Sequence, residues 1–268
     1  MKPLAAFPAA TVKHIRGVFC DIDDTLTSEG KLTARAYAAL ERLRAAGKRV
    51  IPITGRPAGW CDHIARMWPV DAVVGENGAF YFRYDTARKK LTQRFLFEAA
   101  ARTANRERMR AVSKHILREI PGCALASDQL YREADLAIDF CEDVPRLPDA
   151  EVDRIVALMQ AAGMTAKISS IHVNGWFGDY DKMGMTRTLM QELYAVDLAR
   201  EEAQYLFVGD SPNDAPMFGF FSNSVGVANV ADFGARLASA PAYVTQGRSG
   251  EGFVELVDFL LNPRPGMP

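Results

Sequence analysis

This 268-residue sequence has no surplus of charge, no long apolar run and no paired cysteines, and each absence removes a class of function. Lys plus Arg number 32 against 33 Asp plus Glu, a net charge of -1. Nothing global therefore draws the chain to DNA, RNA or an anionic membrane, and any basic surface must be local. No stretch reaches the ~18 apolar residues of a membrane span. The apolar segment Leu4 to Ala10 behind Lys2 is short and broken by Pro8, which counts against a cleaved export signal. Cys20, Cys61, Cys123 and Cys141 form no Cys-x-x-Cys pair and have no histidine at zinc spacing, as suits packing residues in a reducing cytosol. We read a soluble, cytoplasmic protein with no nucleic-acid or membrane partner. The sequence carries no internal repeat, no low-complexity tract and no signature of an oligomeric state.

What the chain does contain is ample core: 49% of its residues are apolar, enough for one large domain or two smaller ones. Strand-like and helix-like segments alternate at the start, as strand 17–20, helix 33–46, strand 49–53, helix 58–67 and strand 71–74. Thr33 can cap the first helix and Gly47 can end it. The rhythm returns as helix 183–194, strand 205–208, helix 215–220, strand 224–227 and helix 253–261, with a Pro-Gly tail after Asn262 that reads as frayed. This is the β-α-β pattern of a parallel sheet, and it predicts an α/β fold with a Rossmann-like core.

The pattern changes between these halves: a hairpin-like pair (79–84 and 91–97), a long helix 98–120, strand 136–140, helix 149–162 and strand 165–173. We expect a discontinuous catalytic core, residues 1–83 and 179–268, and an inserted α+β cap, residues 84–178. An insert whose ends fall between two parts of one sheet sits over that sheet's carboxyl edge.

The run Asp21-Ile22-Asp23-Asp24-Thr25 follows the apolar Gly17-Val18-Phe19-Cys20, gathering three carboxylates where a buried strand ends. They repel one another unless a cation or a proton-transfer task stabilises them. Asp21 and Asp23, two apart on extended chain, point the same way, so one can attack while the other handles protons, and both can lie near one metal. Thr54-Gly55-Arg56 closes the second strand ahead of a helix, where a hydroxyl, a close backbone and helix amides can hold phosphate oxygens. Alone, that segment reads as a strand-to-helix turn. Gly209-Asp210-Ser211-Pro212-Asn213-Asp214 again sets acids after an apolar strand, and oxygen donors without sulfur or imidazole suit magnesium. Asp210 is the natural ligand there, with Asn213 and Asp214 to complete or orient the shell; a turn with a helix cap is the alternative. Lys182 opens a helix, a position the macrodipole disfavours for a cation unless it shares an anion with the helix amides.

Each signal lies at a strand's carboxyl end or a helix start, and in an open parallel sheet such positions converge on one crevice. In order and without substitution, Asp21 to Thr25, Thr54, Lys182 and Gly209 to Asp214 match the D-x-D-x-T, Ser/Thr, Lys and G-D-x-x-N-D pattern of the haloacid dehalogenase superfamily. The chain resembles its branch with a large α/β cap, subfamily IIB. Gly75-Glu76-Asn77-Gly78-Ala79 and Asp135-Leu136-Ala137-Ile138-Asp139 look most like sucrose-phosphate and mannosyl-3-phosphoglycerate phosphatases.

The resemblance implies a magnesium-dependent phosphatase acting on a phosphorylated sugar or related small metabolite. Asp21 attacks phosphorus and forms an aspartyl-phosphate, and Asp23 protonates the leaving oxygen and then serves as base. Asp21, the Asp23 backbone carbonyl and Asp210 hold Mg2+, with Asp214 beside them, while Thr54, the Gly55 amide, Lys182 and Asn213 hold phosphate oxygens. For the substrate's other end the sequence offers Arg56, Asn77, Lys167, Ser169, His172 and Asn174. His172 reads equally as a histidine satisfied by its surroundings, and Asn77 as part of an Asn-Gly turn. Trp176 and Phe177 are hinge packing or a surface for a sugar ring. Arg102, Arg106, Arg110, Lys114 and Arg118 make a stripe that is a solvated face or an aid to anion attraction. A phosphomannomutase-like phosphosugar mutase on the same carboxylates is the rival reading.

Overall fold

The computed structural model describes residues 1–262; the Pro-Gly tail lies outside them. Gly17–Cys20, Tyr205–Gly209 and Ser224–Gly226 are buried at every position, as strands covered on both faces must be. They form a six-stranded parallel sheet in the order Lys2–Pro3, Tyr243–Val244, Ser224–Gly226, Tyr205–Gly209, Gly17–Cys20, Arg49–Pro52. A parallel bridge from Ile53 to Val74 adds Val73–Gly75 at the edge. Alternate side chains feed two layers. Val18, Cys20, Val50, Leu206 and Val208 join Leu40 and Leu43 of helix Ala34–Ala45 and Phe253 and Leu256 of helix Ser249–Leu261. Phe19, Ile51 and Phe207 join Leu189 and Met190 of helix Lys182–Tyr194 and Met217 and Phe218 of helix Ala215–Phe220. The Rossmann-like core is thus a three-layer sandwich, as the alternating pattern predicts.

Two local features depart from expectation. The hairpin Phe80–Asp85/Lys90–Phe95, assigned largely to the insert, pairs antiparallel with Val73–Gly75 and so extends the edge of the core sheet. Its aromatic faces explain this. Phe80 and Phe82 stack with ring centroids 4.4 Å apart and belong to the core cluster, with Phe95 against them. The single strand expected over 165–173 is a second hairpin, Thr165–Ile168 and His172–Trp176. Its turn contains neither Gly nor Pro. The Ser169 hydroxyl closes it instead, accepting from the His172 amide at 3.0 Å. The apolar N-terminal segment is also structural: Leu4, Phe7 and Val12 are buried in the core.

The remaining insert forms a four-stranded antiparallel sheet in the order Thr165–Ile168, His172–Trp176, Leu136–Asp139, Ala124–Leu125. Helices Ala99–Glu119 and Asp149–Ala161 cover one face and share with it a core of Met109, Ile116, Ile138, Ile155, Met159 and Val173. No described helix is long and apolar enough to cross a membrane. Of the basic stripe, Arg102 and Arg106 pair with Glu133, while Arg110, Lys114 and Arg118 lie exposed.

The chain returns from the insert against a turn at residues 76–78, where Glu76 and Asn77 have φ of 43° and 56° and Gly78 has φ of 106°. A Cβ on Gly78 would lie 2.0 Å from the Asp181 carbonyl oxygen. Gly78→Ala is therefore expected to cost at least about 2 kcal/mol, from the left-handed backbone and the clash with main chain together. Urea unfolding measures it, and a change below a few tenths of a kcal/mol would contradict this account.

Candidate active site

Val208 lies opposite Cys20 in the two central strands, so Asp21 and Asp210 leave neighbouring strands at nearly the same level. Lys182, at the first turn of its helix, is 2% exposed and reaches Asp21 Oδ1 and Asp214 Oδ1, each at 2.7 Å. Asp214 Oδ2 accepts from the amides of Asp210 at 3.0 Å and Ser211 at 3.3 Å. Gly209 makes room for it, since a Cβ there would lie 2.4 Å from that oxygen. Asp210 accepts from the Thr25 hydroxyl at 3.0 Å and from Asn229 Nδ2 at 3.3 Å. Asp21 Oδ2 carries no hydrogen bond among the described residues, and Asp21 lines the crevice.

Burial pushes the Asp21 carboxyl up to about 8 against the pull of Lys182, with Asp214 and Asp23 adding to the rise. Burial also raises Asp210, helped by Asp21 and Asp214. For Lys182 burial acts downward, but Asp21 and Asp214 outweigh it and the ammonium stays charged. Oxygens of Asp21, Asp210 and Asp214 lie within 4.8 Å of one another. Three buried carboxylates facing one ammonium leave the cluster short of positive charge, and an oxygen-only donor set fits a hard divalent cation such as magnesium. Asp214 is taken by the Lys182 ammonium and two amides, each Asp210 oxygen meets a single neutral donor, and Asp21 Oδ2 meets none, so Asp21 and Asp210 keep the most donor capacity.

Asp21, Asp23, Gly55, Arg56, Ser169, His172, Asn174 and Asn213, all anticipated from sequence, line one narrow crevice with an interior of only about 10 Å³. Core and cap both contribute to it. Thr54 lies just behind, buried, accepting from the Arg56 amide at 3.0 Å. Lys167 does not line it; it is exposed on the edge strand of the cap, and only the turn beyond reaches inward. Asn77 is buried in the seam between core and cap and donates to Asp135 at 3.3 Å, as does Asn174 at 3.1 Å. Trp176 and Phe177 are hinge packing: Trp176 stacks on Tyr180, and Arg108 lies over the Phe177 ring.

Arg56 is placed differently from the substrate-binding role considered for it. Its Nε contacts both Asp23 oxygens at 3.0 and 2.9 Å, and Nη2 reaches Asp23 Oδ1 at 2.8 Å and Glu142 Oε1 at 2.6 Å. Nη1 reaches Asp128 at 3.3 Å. A guanidinium this buried takes every carboxylate in range. Glu142 also lies 2.9 Å from His172 Nε2, without the alignment of a hydrogen bond. Burial acts to raise Glu142, but His172 and Arg56 outweigh it and hold the carboxyl down at about 2. Sequence reading missed Glu142, Asp128, Arg132 and Asn229. For the first three the only local signal is charge beside a cap strand or turn, which solvated surfaces share; Asn229 is a neutral amide in the core segment Ala228–Arg236.

The family model of the haloacid dehalogenase-like hydrolases matches residues 18–106, the stretch that holds the first two motifs. Over those residues the chain is similar to the haloacid dehalogenase-like hydrolases. The chain is 24% identical to a phosphoglycolate phosphatase of Methanospirillum hungatei, over 91% of its own length and 95% of the relative's. Its fold is shared with the C-terminal domain of the Candida albicans trehalose-6-phosphate phosphatase, at a TM-score of 0.70 and 14% identity, covering 97% and 98% of the two chains. It is shared as well with a Synechocystis sucrose-phosphatase, at 0.62 and 16%, covering 92% and 98%.

A raised carboxyl pKa means that the folded, metal-free protein holds a proton the unfolded chain releases. The associated stability is complete below the ordinary carboxylate range and is lost as pH rises through about 8. In EDTA the melting temperature is expected to fall between about pH 5 and about pH 9, and the rise given by Mg2+ to grow over the same interval. A Mg2+ shift that does not change with pH would contradict this assignment of the buried charge.

Proposed function

We propose that this chain is a magnesium-dependent phosphomonoesterase acting on a small phosphorylated sugar or related metabolite. The observation that carries the reading is Asp21: a buried carboxylate with one oxygen held by Lys182 and the other unengaged, at the crevice beneath a polar cap. In the proposed reaction Asp21 Oδ2 bonds to phosphorus as the ester P–O bond breaks, and Asp23 passes a proton to the departing oxygen. Water then attacks phosphorus, giving a proton to Asp23 and releasing phosphate and the free Asp21 carboxylate.

Thr54, the Gly55 amide, Lys182 and Asn213 would hold the non-transferred oxygens as charge redistributes among them. Magnesium, held by the Asp21 and Asp210 carboxylates and the Asp23 carbonyl, would supply the positive charge that lets an anion approach a carboxylate. We assign Asp214 to positioning rather than ligation, because Lys182 and two amides already take its oxygens. Ser169, Ser170, His172 and Asn174 line the leaving-group side with hydroxyl, imidazole and amide groups, which match a short polar leaving group. The curated relative is named for phosphoglycolate and two structural neighbours for disaccharide phosphates, whose leaving groups are polar but differ widely in size.

Phosphate release over a panel of sugar phosphates and 2-phosphoglycolate, with Mg2+ or EDTA, tests the reading. Metal-dependent release is expected without a bisphosphate activator, which a mutase would require. Asp21→Asn should lower it at least roughly a thousandfold, since an amide cannot carry the phosphoryl group. Turnover near the parent's in that variant would end the mechanism.

A further inference from the structure

The cap contributes one carboxylate to the catalytic centre that no motif announces. Glu142 follows the cap strand Leu136–Asp139, and its backbone is fixed by Asp139, whose carboxylate accepts from the amides of Cys141, Glu142 and Asp143 at 2.9, 2.8 and 2.8 Å. Asp139 itself is 1% exposed. This built turn presents Glu142 to Arg56 Nη2 at 2.6 Å, with His172 Nε2 on the other side. Arg56 is a core residue, and its Nε and the same Nη2 hold both oxygens of Asp23. Trp60 backs the guanidinium at 4.3 Å from its ring centre.

A planar guanidinium can fix a carboxylate only if its own plane is fixed. Asp23 sits in the loop after the strand, with Asp24 next to it in the left-handed region at φ 55°, so the local backbone does little to orient its side chain. The outer edge of Arg56 is held by Glu142 and, more weakly, by Asp128 at 3.3 Å. Both belong to the cap.

We propose that Glu142 is a positioning residue that acts through Arg56 to orient the Asp23 carboxylate, so that the proton-handling group is set only when the cap is docked. This rests on the proposed role of Asp23 in proton transfer. Glu142 touches neither phosphorus nor the leaving oxygen; its effect reaches the chemistry only through Asp23. The step that suffers most without it is therefore the attack of water, which needs a base, and not the expulsion of a leaving group that departs readily as an anion.

The test uses p-nitrophenyl phosphate, whose nitrophenolate needs little protonation to leave, and follows the full-length protein with Mg2+ by stopped flow. Glu142→Ala is expected to give a burst approaching one nitrophenolate per active site, then a steady state about tenfold below the parent's, part of the 10²–10⁴ that a proton-transfer group supplies. Glu142→Gln, which keeps an oxygen for Arg56, should recover most of that loss, and a thermal melt shows that both variants are folded. In Asp23→Asn background Glu142→Ala should cost nothing further. An unchanged kcat in Glu142→Ala, a rise in KM alone, or additive losses in the double variant would overturn the positioning role. A parent that releases no nitrophenolate would overturn the phosphatase reading and this role with it, whereas an active parent beside an unaffected Glu142→Ala overturns this role alone.

Discussion

The buried ammonium of Lys182 is the contact on which the rest of the centre depends. It is 2% exposed and sits 2.7 Å from both Asp21 and Asp214. Taking a cation and two carboxylates out of water carries a desolvation cost that close geometry only just offsets, and removing one partner of such a group typically costs about 3–5 kcal/mol. The chain spends several independent devices on placing it. Asp181 caps the helix by accepting from the Gly184 amide at 2.7 Å, Gly78 admits the Asp181 carbonyl, and Gly209 admits the Asp214 carboxylate. A lysine at a helix start opposes the macrodipole, so a position of this kind persists only where anions hold it.

A second constraint joins cap to core. Glu76, fully buried, accepts from the amides of Ala58 and Glu133 at 2.9 Å and of Asp135 at 3.2 Å. Arg132 reaches the Gly55 carbonyl at 2.8 Å while paired with Asp128 and Asp135. These seam contacts are polar, with Trp176 stacked on Tyr180 as an aromatic contact beside them. The cap keeps its own apolar cluster, apart from Ala134, which packs with the core. Polar contacts are directional where apolar ones are not, so the seam sets the orientation of the cap, and with it the places of Arg56, His172 and Asn174, without merging two hydrophobic interiors.

Much of this was legible in the residues because the sheet imposes its order on them. Buried parallel strands need apolar runs, and a polar cluster just after such a run must stand at the crevice; that places Asp21, Thr54 and Asp210 together, and Lys182 joins them from the start of the helix Lys182–Tyr194. The cap was harder. The hairpin 80–95 carries the alternation of any strand pair, and only tertiary packing of Phe80, Phe82 and Phe95 shows which sheet it joins. The break at residues 169–171 depends on a serine side chain rather than on Gly or Pro. Glu142 and Arg132 are unremarkable charged residues in sequence; what distinguishes them is burial and partners, and no periodicity encodes those. For Arg56 the residue was evident but its partner was not, since an arginine beside a phosphate motif suggests an anion from solution and here meets three from the protein itself.

The charge balance of the centre bears on how an anionic ester can enter it. Asp21, Asp23, Asp128, Asp135, Glu142, Asp210 and Asp214 gather around Lys182, Arg56 and Arg132. Each of these cations is already shared between at least two carboxylates. Burial relieves part of the excess by raising Asp21 and Asp210 toward neutrality, but in the proposed reaction a neutral Asp21 would be a poor nucleophile. Ionising it while a phosphate dianion approaches would place like charges in contact in a region of low dielectric. Protonation therefore cannot resolve the repulsion without disabling the attack. An added cation would lower the cost of both negative groups at once, and the oxygens least engaged by the protein are those of Asp21, one of them without a partner, and of Asp210, each on one neutral donor, after the two strands at the middle of the sheet.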